Sequence, residues 1–332
     1  PAEGSIPIIG QEKLTSPMQA ALLNGFIGHV LDYDDVHEDM RGHPSTVIIP
    51  SLLSAVSCGR VTGKRLMEAY IVGIETTAFL GKMIGRSHYE KGWHNTSTLG
   101  GIASAAACSY LLGFTQEETA IAIGFAATQA SGLRIQFGTE AKPLHAGLAA
   151  QAGYQAVMFT KAGLTGSGTS LDGPAGFLSV YGDGAVNTGW RMKLQRFGKP
   201  WKIVEPGLWF KQYPFCSAAH QGADAILTML AERPFSLEDV ERIIITYPPK
   251  GDAALVHQRP RTGEEGRFSV EYVVTLVIDQ QPLTLENFTA QPIASKYRRF
   301  FDHITRSYSE TIQASAKAVP KGRFTRIECI LK

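Results

Sequence analysis

The feature that most constrains this chain is a run of charge held between two apolar stretches. Ala20 to Val30 and Val47 to Val56 read as buried helices, and Leu31-Asp32-Tyr33-Asp34-Asp35-Val36-His37-Glu38-Asp39-Met40-Arg41-Gly42-His43 lies between them. The run carries five carboxylates, two imidazoles and one guanidinium. Charge at the ends of buried helices is costly to desolvate unless it is paired or used. The fold must supply partners for it, and chemistry is to be sought there first.

At 332 residues and 44% hydrophobic, the chain can bury a large core, and its length predicts two domains. A net charge of +2 with scattered Lys and Arg, and no basic stripe interleaved with aromatics, argues against a nucleic-acid partner. Cys58, Cys108, Cys216 and Cys329 stand far apart without a C-x-x-C pair. That spacing argues against a zinc site or disulfide framework and predicts a reducing, cytoplasmic setting. Gly92 to Gln116 is uncharged but rich in Gly, Ala, Ser, Thr and Asn. It reads as a tightly packed helix, not a membrane span, so no membrane partner is expected. The first residue is Pro1, so the lack of a targeting segment carries little weight.

From about Pro17 to Gly163 the pattern predicts a run of helices with Gly at the joints. Thr115 with Glu118 forms a capping-box signature before Thr119-Ala-Ile-Ala-Ile. Gly163 to Gly189 changes character, and its first part, Gly163 to Pro174, reads as a loop that lacks the Gly-Lys-Ser/Thr ending of a phosphate-cradling loop. An all-α domain over 1–206 is therefore expected, with a boundary near Pro206-Gly207 and an α+β domain over 207–332. In the second domain, a short capped helix is predicted from Ser236, a strand from Arg242 to Tyr247, a buried helix from Gly266 to Asp279 and a strand from Phe324 to Leu331.

Several residues are candidates for chemistry. Asp32 follows an apolar helix, where negative charge opposes the helix dipole, so it needs a partner such as Arg41, His43 or a lysine from elsewhere. Glu38 and Asp39 read as a solvated acidic loop. His43 and His94 each precede a helix start, a position that lowers an imidazole pKa and suits proton transfer near neutrality. Lys142 lies between two apolar helices and is a candidate for holding a carboxylate; the alternative is a snorkelling surface lysine. Lys211 and His220 stand at the expected boundary, where ligand clefts often form. Cys216 has no visible base at a matching spacing and reads as a packed thiol. Tyr272 is helix-borne, a setting more typical of core. The histidines lack close ligand spacing, so neither a metal nor another cofactor is expected.

These residues, in this order, resemble the MmgE/PrpD family. The matching pieces are Asp32-Tyr-Asp-Asp with His43-Pro-Ser, Gly92-Trp-His94-Asn-Thr, Leu111-Leu-Gly-Phe, Ala130-Ser-Gly, Lys142-Pro-Leu-His145-Ala-Gly, Gly163-Leu-Thr-Gly and Lys211-Gln-Tyr-Pro. The resemblance implies a mainly α fold with a large all-α domain and a smaller α+β lid, and a homodimer. It places catalytic residues at Asp32, His43, His94, Lys142 and Lys211, with His220, Tyr272 and Arg41 as substrate-binding candidates. Val36 stands where many members carry a hydroxyl residue. Against the family pattern the chain also looks short at both ends.

The implied activity is metal-independent lyase chemistry on a small di- or tricarboxylic acid. A proton next to a carboxylate is removed, most simply in a dehydration like that of 2-methylcitrate dehydratase. Decarboxylation like that of cis-aconitate, epimerisation like that of iminodisuccinate, or a non-catalytic structural dimer are the alternatives. Lysines would hold carboxylates and stabilise the enolate-like state, while Asp32, His43 and His94 divide the roles of base and acid.

Overall fold

The computed structural model describes residues 4–182, 194–316, 318 and 322–332. The fold is mainly α with small sheets. Its described residues divide into two compact units. One draws on Pro1–Val30, Asp34–Arg134 and Glu140–Phe210, the other on Leu31–Tyr33, Ile135–Thr139 and Lys211–Lys332. The division is not a single cut, because two short segments from the helical half of the sequence belong to the second unit. Among the described residues, no helix is long and apolar enough to cross a membrane.

The first unit opens with a short antiparallel pair, β1 (Ile6–Pro7) and β2 (Leu14–Thr15), and continues as a bundle of α1 (Pro17–His29), α2 (Ser45–Ala55), α3 (Gly63–Glu90), the single turn α4 (Asn95–Thr98), α5 (Gly100–Leu112), α6 (Gln116–Ala127), α7 (Ala141–Lys161) and the short α8 (Phe177–Tyr181). Local chemistry sets the ends. Ser16 accepts the Gln19 N–H with Pro17 in the first turn, Thr62 caps α3, and Thr115 and Glu118 close the expected capping box. The uncharged stretch from Gly92 is not one helix: α4 and α5 are separated at Leu99, and Gly113 in the left-handed region ends α5. Small residues bring the helices close. A Cβ on Gly147 would lie 2.4 Å from the Leu22 carbonyl oxygen of α1, and one on Gly153 would lie 2.4 Å from Ser104 Cβ of α5. Ala103, Ala105, Ala107, Ala146, Ala150 and Ala156 are fully buried around these notches.

The second unit packs α9 (Ser217–Glu232) and α10 (Val270–Ile278) with a three-stranded sheet of β3 (Val240–Tyr247), β4 (Ile304–Tyr308) and β5 (Arg326–Leu331). The strand order is β4-β3-β5, with β3 parallel to β4 and antiparallel to β5. Phe215, Ile226, Ile243, Ile245, Val273 and Phe288 form its core. The Ser236 cap starts only a 3-10 turn, Leu237–Asp239, which runs straight into β3. Isoleucines favour the strand once they can pair on both sides. The buried helix begins at Val270, not Gly266, because extended Ser269 interrupts the chain and caps α10 through the Tyr272 N–H.

Candidate functional site

In the helical unit, the end of α1 and the segment after it converge on a carboxylate. His29, the last residue of α1, is 1% exposed, and its Nδ1 lies 2.9 and 2.8 Å from Asp34 Oδ1 and Oδ2. Asp34 Oδ2 is also 3.2 Å from His43 Nδ1, which is 3.0 Å from the Asp35 carbonyl oxygen. The His29 and His43 rings sit 4.5 Å apart, and the His94 ring stacks 6.1 Å from His29. Burial pulls the His29 imidazole down to about 4, against the charge of Asp34. Burial pushes the Asp34 carboxyl up, but the two imidazoles outweigh it and hold it well below the ordinary range. Asp35 is pushed up to about 6 by burial, although Ser45 Oγ donates to it at 2.7 Å.

His94 caps α4 and takes the Gly132 carbonyl with its backbone N–H at 3.0 Å. Its Nδ1 lies 3.2 Å from Nδ1 of His145, so one nitrogen carries the proton and the other accepts it. Gly132 has a φ of +111, and a Cβ there would come within 2.9 Å of Ser97 Cβ. A side chain would therefore spoil the seat of His94. Lys142 and His145 stand one turn apart at the start of α7, and Lys142 is only 3% exposed, which removes the surface-lysine alternative. Burial, then the Lys142 charge, holds His94 well below its ordinary value, and the same two causes lower His145. The result is a buried ammonium with neutral imidazoles around it, an arrangement suited to a carboxylate whose neighbouring carbon exchanges a proton.

The remaining candidates fall elsewhere. In the second unit, Lys211 Nζ donates to Asp32 Oδ2 at 2.8 Å and to the Asp32 carbonyl at 2.5 Å, with Asp32 held at a φ of +50. A lysine distant in sequence, one of the partners expected for Asp32, is thus in place. His220 Nε2 lies 3.1 Å from the Phe215 carbonyl oxygen, and burial, then the Lys211 charge, lowers its pKa to about 4. Tyr272 Oη donates to the Asn287 carbonyl and the ring packs edge-on to Phe288. Arg41 donates to the Gly85 carbonyl of α3 at 3.1 Å, at the kink there. Asp39 is not a solvated acid: Lys82 pairs with it at 2.9 Å. Cys216 is buried and in no disulfide.

Sequence reading did not single out His29, Asp34 or His145. His29 looked like the end of an apolar helix, and His145 followed Lys142 by one turn, the one local signal available. His29, Asp34 and His43 bring potential metal-ligand atoms within 4.8 Å of one another. The expected loop, Gly163 to Pro174, is turn-rich; α8 follows it, and residues 183–189 of the same stretch lie outside the described residues. Its hydroxyls, Ser167, Thr169 and Ser170, line a cavity of about 540 Å³ with Thr128, Phe177 and Tyr181. No lysine or arginine is among the described residues lining it, so the loop lacks the cation a phosphate site needs.

Comparison with known proteins gives an independent line. The family model of the MmgE/PrpD N-terminal domain matches residues 1–188, and that of the MmgE/PrpD C-terminal domain matches residues 213–330. Cis-aconitate decarboxylase of Homo sapiens is 28% identical over 283 residues, covering 82% of this chain and 57% of that protein. Cis-aconitate decarboxylase-like protein oryM of Aspergillus oryzae is 27% identical, covering 88% of this chain and 65% of that protein. Cis-aconitate decarboxylase of Aspergillus terreus is 26% identical, covering 98% and 70%. The chain thus spans less than two thirds of the length of the first two relatives.

Proposed function

The chain belongs to the MmgE/PrpD family, and from that premise we propose that it is a lyase acting on a small di- or tricarboxylic acid through proton transfer next to a carboxylate. The observation that carries this reading is the buried Lys142 ammonium with neutral imidazoles around it. Lys142 offsets a substrate carboxylate and the charge that accumulates on it as the adjacent carbon loses a proton. A neutral imidazole takes that proton, and His94, coupled to His145, is the candidate. In a dehydration the electron pair left on carbon forms the double bond, and the hydroxyl departs as water with a proton from a second group; His43 is a second candidate for taking the carbon-bound proton. Each such transfer contributes ~10²–10⁴-fold. Asp32 and Lys211 keep, as a proposal, the roles that the family's motifs give them: a charged pair for acid–base work and carboxylate binding.

A second reading, decarboxylation, is favoured by the names of the relatives. There the carbon–carbon bond breaks, carbon dioxide leaves, and the electrons pass into the conjugated carboxylate until a proton is delivered to carbon. That delivery needs a protonated imidazole, whereas neutral imidazoles favour removal of a proton first. Proton NMR in D₂O separates the two. The protein is incubated with 2-methylcitrate, citrate, cis-aconitate and iminodisuccinate. Loss of water supports dehydration, loss of a carboxylate supports decarboxylation, and deuterium wash-in alone at one carbon supports epimerisation. A folded protein inert toward all four counts against the lyase and leaves the non-catalytic dimer. The homodimer is itself a proposal, read by sedimentation.

A further inference from the structure

The histidine cluster contains a carboxylate that the proposed chemistry does not use. Ionised Asp34 can only accept, and two imidazole nitrogens face it. An ionised carboxylate cannot donate, so the His29 Nδ1 at 2.8 Å must carry its proton. The Asp35 carbonyl oxygen, 3.0 Å from His43 Nδ1, cannot donate either, so that nitrogen is also protonated. Asp34 Oδ2 then accepts from His29 Nδ1 at 2.8 Å and lies 3.2 Å from His43 Nδ1, whose N–H it shares with the Asp35 carbonyl. With Nδ1 protonated, the lone pair of the neutral His29 ring is on Nε2. In His29 that Nε2 is fully buried and has no hydrogen-bond partner. Leaving a buried acceptor without a partner carries the cost of its lost hydration. An apolar ring would fill the space without that cost, so packing alone does not account for an imidazole there.

We propose that Asp34 is a positioning residue: by accepting from Nδ1 of both His29 and His43 it fixes their tautomer and ring planes, so that His43 works through Nε2, with His29 as the buried arm that holds Asp34 in place. The proposal rests on the lyase reading for its kinetic consequence, but the tautomers can be read without any substrate. The 4.5 Å separation of the two rings makes the second arm effective, because His43 cannot tilt without displacing His29.

The test uses the full chain labelled with ¹⁵N-histidine. Long-range proton–nitrogen spectra at neutral pH are expected to show His29 and His43 as Nδ1–H tautomers, assigned by single substitution. Asp34→Asn presents a donor as well as an acceptor, so at least one of the two rings is expected to change tautomer. Its kcat is expected to fall ~10²–10³-fold with KM within about threefold, and Asp34→Glu is expected to recover part of the loss. His29→Phe keeps a ring in the pocket, serves if Asp34→Asn does not fold, and is expected to lose roughly tenfold in kcat. An Nε2–H tautomer at either histidine in the unsubstituted protein overturns the proposal. Wild-type tautomers in Asp34→Asn, or an unchanged kcat in His29→Phe, do so as well. If the unsubstituted protein turns over none of the acids, the lyase reading fails while the tautomers still decide the role of Asp34.

Discussion

Two buried charge clusters, one in each unit, were built by opposite rules. In the second unit Arg306 of β4 makes four hydrogen bonds: two at 2.7 Å to Glu271, one at 2.9 Å to Asp252 and one at 2.7 Å to the Leu255 carbonyl. Ser269 and Tyr308 add donors to the same carboxylates. In the helical unit His29 Nε2, Asp35 Oδ1 and Asn95 Oδ1 are buried without a partner. A cluster whose valences are filled internally stabilises one conformation and has little left to offer a ligand. A cluster that leaves acceptors open gives up stability and retains the capacity to bind or exchange a proton. The difference separates a structural ion network from a reactive one more sharply than burial or charge alone.

Breaking the filled cluster should cost the most. Arg306→Met leaves Glu271 and Asp252 buried and unpaired, and should lower unfolding free energy by about 3–5 kcal/mol in urea titrations. Turnover per folded molecule should be unaffected. Lys142→Met does the reverse: kcat/KM should fall ~10²–10³-fold, equivalent to about 3–4 kcal/mol, with a urea midpoint at or above that of the parent. A Lys142→Met protein with full activity would remove the open cluster from the chemistry.

Acid should separate the two units next. His29 and His88 in the helical unit, and His220 in the second, have folded values near 4 against an unfolded value of 6.5. As pH falls through that window the unfolded chain binds protons that the folded chain refuses, so stability is full above about 6.5 and is lost toward 4. The loss is roughly 1–2 kcal/mol per imidazole at pH 5. Asp35, raised to about 6, works the other way, since the folded carboxyl takes a proton before the unfolded one. One carboxyl does not offset His29, His88 and the strongly depressed His94 in its own unit. Hydrogen exchange at pH 5 should therefore show α1, α4 and α5 losing protection before β3 and α10. The smallest effect should come from EDTA: turnover within about 20% of the untreated rate, since the proposed steps use side chains alone. A large loss restored by one divalent metal would give the Nε2 atoms of His29 and His43 a different role.

The secondary structure was legible where local chemistry decides it: the Thr115–Glu118 box, the isoleucine strand of β3 and the loop at Gly163 all follow from neighbours in sequence. The breaks before α5 and α10 were not, because they depend on where Gly100 and Ser269 pack. The candidate residues on the chain's motifs fall into two groups, His43, His94 and Lys142 in one unit and Asp32, Lys211 and His220 in the other. Their partners were hidden. His29 joins Asp34 only because α1 ends where it does, and Lys211 reaches Asp32 across 179 residues of sequence.

The notches on α7 extend beyond packing. Gly147 and Gly153 fix that helix against two neighbours by close contact, while Lys142 and His145 stand at its N-terminal end. Eleven residues separate Gly153 from Lys142, a lever arm of about 16 Å. A tilt of about 5° at the notch would swing the ammonium by more than ~1 Å, a misplacement that can cost ~10²-fold in rate. One methyl group deep in the bundle, touching no reactive atom, would thus detune the chemistry from a distance, and the tolerance of the machine is set at its fulcrum.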